Sequence, residues 1–219
     1  MSPLALASVT LHGVACAMAL VHAYARRRSP DKADAYALAL VWCAWFVAAR
    51  AHDVTVRALP PPGPPLSRPL DLALLALAGA LYFAWPALIL GWIRWTFLRA
   101  RTWPVVLLWL VAWGIPAAVY PAIRGTSWFQ YAGAFHLAAL VGEVVAIGQW
   151  VRRREPPRAW HVIALGAVPI CAFPAIPFFA SGEARAGYLI WVLRGLVGLH
   201  LWCIAVLGGD LWLSKSRGS

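Results

Sequence analysis

Candidate ionisable side chains inside the long apolar runs of this 219-residue chain are His12, His22, His136, Glu143, Arg194, His200 and Asp210. An ionised group at the centre of a bilayer costs about 3 kcal/mol on insertion scales, so each is a candidate site by its placement alone. Glu143 and His200 lie near the middle of their runs, and a carboxylate beside an imidazole can hold a proton or a hydrogen-bonded ligand. Arg194, nearer one end, can receive an anion through its planar fork of donors. His136 precedes Glu143 by seven residues, two helical turns, which puts both on one helix face. His12 sits at the depth of His136 and Arg194. These depths predict two layers, His12 with His136 and Arg194 over Glu143 with His200, if the first, fifth and seventh runs are neighbours. A Glu–His or Glu–Arg pair that only braces helices is the alternative. His22 and Asp210 lie near run ends, where water and snorkelling satisfy them.

The elements that carry these residues are set by composition. The chain is 62% hydrophobic and 12% charged, with a mean hydropathy of +0.70. Soluble domains run about 45–50% apolar and about 25% charged, so a water-soluble globule is excluded. Seven apolar runs cover residues 3–25, 33–49, 70–93, 103–120, 128–150, 160–179 and 188–213. A crossing helix takes about 20 residues, so the runs predict an all-α, polytopic seven-transmembrane-helix bundle as one domain over 1–219. No length remains for a soluble catalytic domain or one that binds nucleic acid.

The net charge of +11 is placed by loops rather than by a polyanion-binding face. Thirteen of the nineteen Lys and Arg fall after runs one, three and five and in the C-terminal tail. Five fall in the alternate loops, and Arg194 lies within a run. The positive-inside rule then puts the N-terminus outside and the C-terminus in the cytoplasm, the expected membrane being a bacterial inner membrane. The Arg clusters 26–28 and 152–154 would also attract anionic lipid headgroups. No Lys or Arg precedes Arg26, so the first run reads as a retained helix and not a cleaved signal peptide. Cys16, Cys43, Cys171 and Cys203 all lie within runs without a Cys-x-x-Cys spacing, as small buried hydrophobes do.

Proline marks two features. The segment Leu59-Pro-Pro-Pro-Gly-Pro-Pro-Leu66 is a stiff extended link, and Pro169, Pro174 and Pro177 predict a kink or hinge in the sixth run. Trp85, Trp92 and Trp95 give the third run an aromatic stripe for lipid or core. Residues 26–33 (Arg-Arg-Arg-Ser-Pro-Asp-Lys-Ala) echo 152–159 (Arg-Arg-Arg-Glu-Pro-Pro-Arg-Ala). That echo fits a 3+1+3 internal repeat over 1–98 and 126–214, the plan of SWEET-type sugar carriers, or two loops made alike by topology.

A seven-helix bundle with this orientation invites comparison with the microbial rhodopsins. A retinal Schiff base needs a Lys in the last crossing, and Lys215 lies in the tail, so that cofactor is excluded. Haem b needs axial imidazoles, and His12 with His136 has matching depth. No Gly-x-Ser-x-Gly or His-x-x-x-His supports an enzyme.

The stretches from Ala23 to Leu38 (Ala-Tyr-Ala-Arg-Arg-Arg-Ser-Pro-Asp-Lys-Ala-Asp-Ala-Tyr-Ala-Leu) and from Trp85 to Arg94 (Trp-Pro-Ala-Leu-Ile-Leu-Gly-Trp-Ile-Arg) resemble the seven-helix N-terminal sensory region of some bacterial histidine kinases. The resemblance implies a sensor of a ligand or of membrane state, with a protein partner supplying the signalling output. The expected function is a receptor- or sensor-like bundle that binds a small ligand around Glu143, His200, Arg194, His136 and His12. A small-solute carrier hinged at the sixth run, and a haem- or quinone-binding subunit of a redox complex, are the alternatives.

Overall fold

The computed structural model describes residues 2–59, 69–99, 127–172 and 183–216. They form six helices: α1 Pro3–Ala25, α2 Lys32–Ala58, α3 Pro69–Leu98, α4 Ser127–Arg152, α5 Ala159–Ala172 and α6 Glu183–Ser216. The predicted fourth crossing, 103–120, lies outside the described residues, as do Pro174 and Pro177. Among the described residues, three segments are long and apolar enough to cross a membrane: α1, α2 and the Ile190–Ser214 part of α6.

Local chemistry explains the helix ends. Ser2 caps α1 by accepting a 3.2 Å hydrogen bond from the Ala5 amide, with Pro3 at the first helical position. α2 stops at Leu59, whose extended backbone (ψ 143°) is what the following proline requires. The sequence reading ended that helix near Ala49; instead it continues for two more turns, because nothing before Pro60 breaks it. Arg50 and Asp53 form an i,i+3 ion pair of 2.7 Å on this extension. α5 runs through Pro169 to Ala172, so the proline does not end the helix.

The helices close a circuit. α1 packs on α2 and α6, α2 on α3, α3 on α5, and α5 on α6, while α4 lies against α3 and α5. α1 offers small residues, Ala15, Ala19 and Ala23, at every fourth position and all buried. Such a stripe allows two helix backbones to approach closely within lipid. The circuit encloses Leu38, Trp42, Ile89, Leu90, Ile93, Ile163 and Leu207, all fully buried. Outside it, Leu40, Val47, Val54 and Trp212 are among many exposed apolar side chains, the arrangement expected of a surface wetted by hydrocarbon. Between α5 and α6, the Trp202 indole donates 3.0 Å to the Val162 carbonyl. It lies across Gly166, where any Cβ would come within 2.6 Å of the ring.

The end of the bundle remote from the N-terminus is tied by charge. Asp34, at the start of α2, accepts both arms of the Arg99 guanidinium just past α3. Asp31 pairs with Arg158 ahead of α5, which joins the two loops whose sequences echo each other. Nearby, His161 stacks on Trp150 (4.7 Å between centroids, 23°), and Phe97 meets Trp150 edge-on at 5.2 Å. Also at this end, Asp210 of α6 accepts from His22 Nε2 at 2.8 Å and from Arg26 Nη2 at 2.6 Å.

Candidate functional site

α1 and α6 run in the same direction in a fixed register. His12 faces His200, and ten residues further along each helix His22 faces Asp210. The imidazoles of His12 and His200 stack, with centroids 4.4 Å apart and planes at 19°. Trp45 of α2 closes the group at 4.3 Å from His12 and 5.0 Å from His200, and Phe46 meets His12 edge-on at 5.2 Å. His12 Nε2 lies 3.3 Å from the Trp42 carbonyl. A carbonyl only accepts, so Nε2 carries a proton in this contact. The same carbonyl accepts from the Cys16 thiol at 3.3 Å. All four cysteines are free thiols, three of them buried.

Beside this stack, toward the N-terminal end of the bundle, α1, α2 and α6 leave a cavity of about 340 Å³. Small-ligand sites start at about 300 Å³ and combine apolar walls with a few placed polar groups. Here His12, His200 and Trp45, each less than 5% exposed, form the deep side, and Val9, Leu193 and Leu196 supply apolar wall. The outer turns of α2 add Arg50, His52, Asp53 and Arg57. Two polar atoms of the lining are buried without a hydrogen-bond partner among the described residues: His200 Nδ1 and Arg50 Nε. Both atoms are closed off from solvent, so a bound molecule would reach them only if the side chains moved.

The predicted layers are rearranged. His200 takes His12 as its ring partner, and Glu143 sits elsewhere, on α4 against α3 and α5. Glu143 is 3% exposed, its Oε2 has no hydrogen-bond partner among the described residues, and the opposite charge acting on it is Arg94 of α3. The physical reason is the circuit: α3 and α5 lie between α4 and the α1–α6 seam. Arg194 is exposed, with its guanidinium 5.7 Å from the Trp191 ring, and does not line the cavity. His136 falls within α4, but its side chain lies outside the described residues, as does that of Trp85. Trp92 belongs to the core, meeting Trp42 edge-on at 5.4 Å.

Sequence reasoning misses Arg50, His52, Asp53 and Arg57 as site residues because polar residues after an apolar run resemble a loop. The available signal was the unbroken helical register from Ala49 to Pro60. His161, missed as well, is a bracing residue: its Nδ1 accepts from the Arg158 amide at 3.2 Å. For haem, two axial imidazoles must lie on opposite faces of the porphyrin. The expected pair, His12 with His136, includes a side chain outside the described residues, and His12 with His200, stacked at 4.4 Å, leaves no such gap.

Comparison with protein-family models, with curated proteins and with solved structures finds no match.

Proposed function

We propose that this chain is a seven-helix receptor-like protein of a bacterial inner membrane, N-terminus outside, that binds a small ligand between α1, α2 and α6. The observation that carries the reading is the cavity at the N-terminal end, floored by the His12–His200 stack and edged by α2 charges. Helices at the opposite end are tied by the Asp34–Arg99, Asp31–Arg158 and His22–Asp210–Arg26 contacts, which favours a receptor over a carrier. Helix direction supports seven crossings. Phe97 near the end of α3 touches Trp150 near the end of α4, so both helices finish at one end of the bundle. A chain that ends two successive helices on the same side needs a return between them, and the apolar run 103–120 has the length to supply it. Exposed Arg27, Arg28 and Arg152–Arg154 at the tied end are the contacts for anionic lipid headgroups. A protein partner docking there would carry the output.

Labelling tests the reading without a known ligand. In inverted and right-side-out vesicles, Ala49→Cys and Leu196→Cys react with a membrane-impermeant thiol reagent from the N-terminal face only. Leu38→Cys, at a fully buried position, does not react. Reaction from both faces would establish a carrier, and silence at both positions would remove the cavity.

A further inference from the structure

The cavity's charge names its ligand. Among its lining residues stand two guanidinium groups, Arg50 and Arg57, against one carboxylate, Asp53. Arg50 Nη1 binds Asp53 Oδ2 at 2.7 Å, which neutralises one of the two cations. Arg57 has no ion pair among the described residues and is exposed at the last turn of α2. Arg50 is held in place by its pair, yet its Nε remains buried without an acceptor. Exposed Arg57, next to the Arg50 fork that Asp53 holds in place, presents the guanidinium donors that fit an incoming carboxylate or phosphate oxygen. Farther in, the wall turns apolar at Val9, Leu193 and Leu196 and aromatic at Trp45. An inorganic anion would leave that wall facing water, whereas a ligand with an apolar or aromatic body covers it.

We infer that the ligand is an organic anion, its charge held by Arg50 and Arg57 and its apolar body lying on Trp45 toward the His12–His200 stack. This inference rests on the cavity reading above and sets the ligand's chemical class.

The test uses the full chain carrying Ala49→Cys in lipid nanodiscs, with labelling of residue 49 read by peptide mass. Anionic sulfonatoethyl methanethiosulfonate is compared with cationic trimethylammonioethyl methanethiosulfonate, each rate divided by its rate with a free thiol in solution. The anionic reagent should be favoured by about tenfold, the lower end of the enhancement seen in clefts lined by one sign of charge. Adding Arg57→Gln should at least halve that preference. Millimolar benzoate should slow labelling, while neutral benzamide of the same shape and sulfate at matched ionic strength should not. A preference for the cationic reagent, a ratio indifferent to Arg57, or equal protection by benzamide or sulfate would overturn the organic anion. Failure of both reagents to react overturns the cavity itself, so the two failures are distinguishable.

Discussion

Arg99→Leu is expected to lower the unfolding free energy by about 3 kcal/mol, the low end for breaking a buried ion pair by removing one partner. Asp34 keeps a side chain only 9% exposed, whereas Arg99 is 52% exposed. Removing the arginine therefore strands a carboxylate in a place where water does not replace the lost donors. Removing the aspartate instead frees a guanidinium that can turn to solvent, so Asp34→Ala should cost less. Arg99 also sits at φ 54°, the left-handed region that side chains other than glycine and asparagine adopt at a cost. Arg99→Gly loses the same pair but relieves about 1 kcal/mol of backbone strain, and should melt above Arg99→Leu. Thermal melts in nanodiscs decide the order, and a leucine variant as stable as the parent would show that the pair braces nothing.

Asp210→Ala is expected to cost about 2–3 kcal/mol, because one carboxylate oxygen serves two donors at the α1–α6 seam. His22 is fully buried, and its Nδ1 has no hydrogen-bond partner among the described residues. With Asp210 gone, both of its ring nitrogens are unsatisfied. Arg26, about a quarter exposed, can reach water and loses less. Asp210→Asn keeps an accepting oxygen, so it should recover roughly half of the loss while surrendering the charge. The same melts give the answer; equal stability of Ala and Asn variants would mean that the hydrogen bonds at His22 contribute little.

Much of this architecture was legible in the apolar runs, and the reason is that bilayer thickness fixes both length and composition. The run 3–25 and helix α1 share their ends, and runs 70–93, 128–150 and 188–213 fall within α3, α4 and α6. The site was less legible. Depth along a helix can be counted from sequence, but which helices are neighbours depends on packing spread over every residue of a face. Depth alone placed Glu143 opposite His200, and the circuit assigns His200 to His12. A pattern in the sequence did hold that pairing: His12 and His22 are spaced by ten, as are His200 and Asp210. On α6 the buried face passes through Val192, Leu199, His200, Cys203 and Leu207, a three-to-four spacing that singles out the seam. The four charged or polar residues of the outer turns of α2 were hidden differently. Polar residues after an apolar run look like loop, and only the missing helix breaker before Pro60 argued otherwise.

The central claim is that His12 and His200 stack beside a cavity open toward the N-terminal end, with Glu143 in another part of the bundle. Solid-state NMR on protein in lipid, labelled with carbon-13 and nitrogen-15 only at histidine, reads this directly; each of the six histidines is assigned by substitution. The account predicts a cross-peak between the rings of His12 and His200 that disappears in His12→Phe, and transfer of water magnetisation to those rings. A His200 ring without contact to His12, and with its signal moved instead by Glu143→Gln, would contradict it.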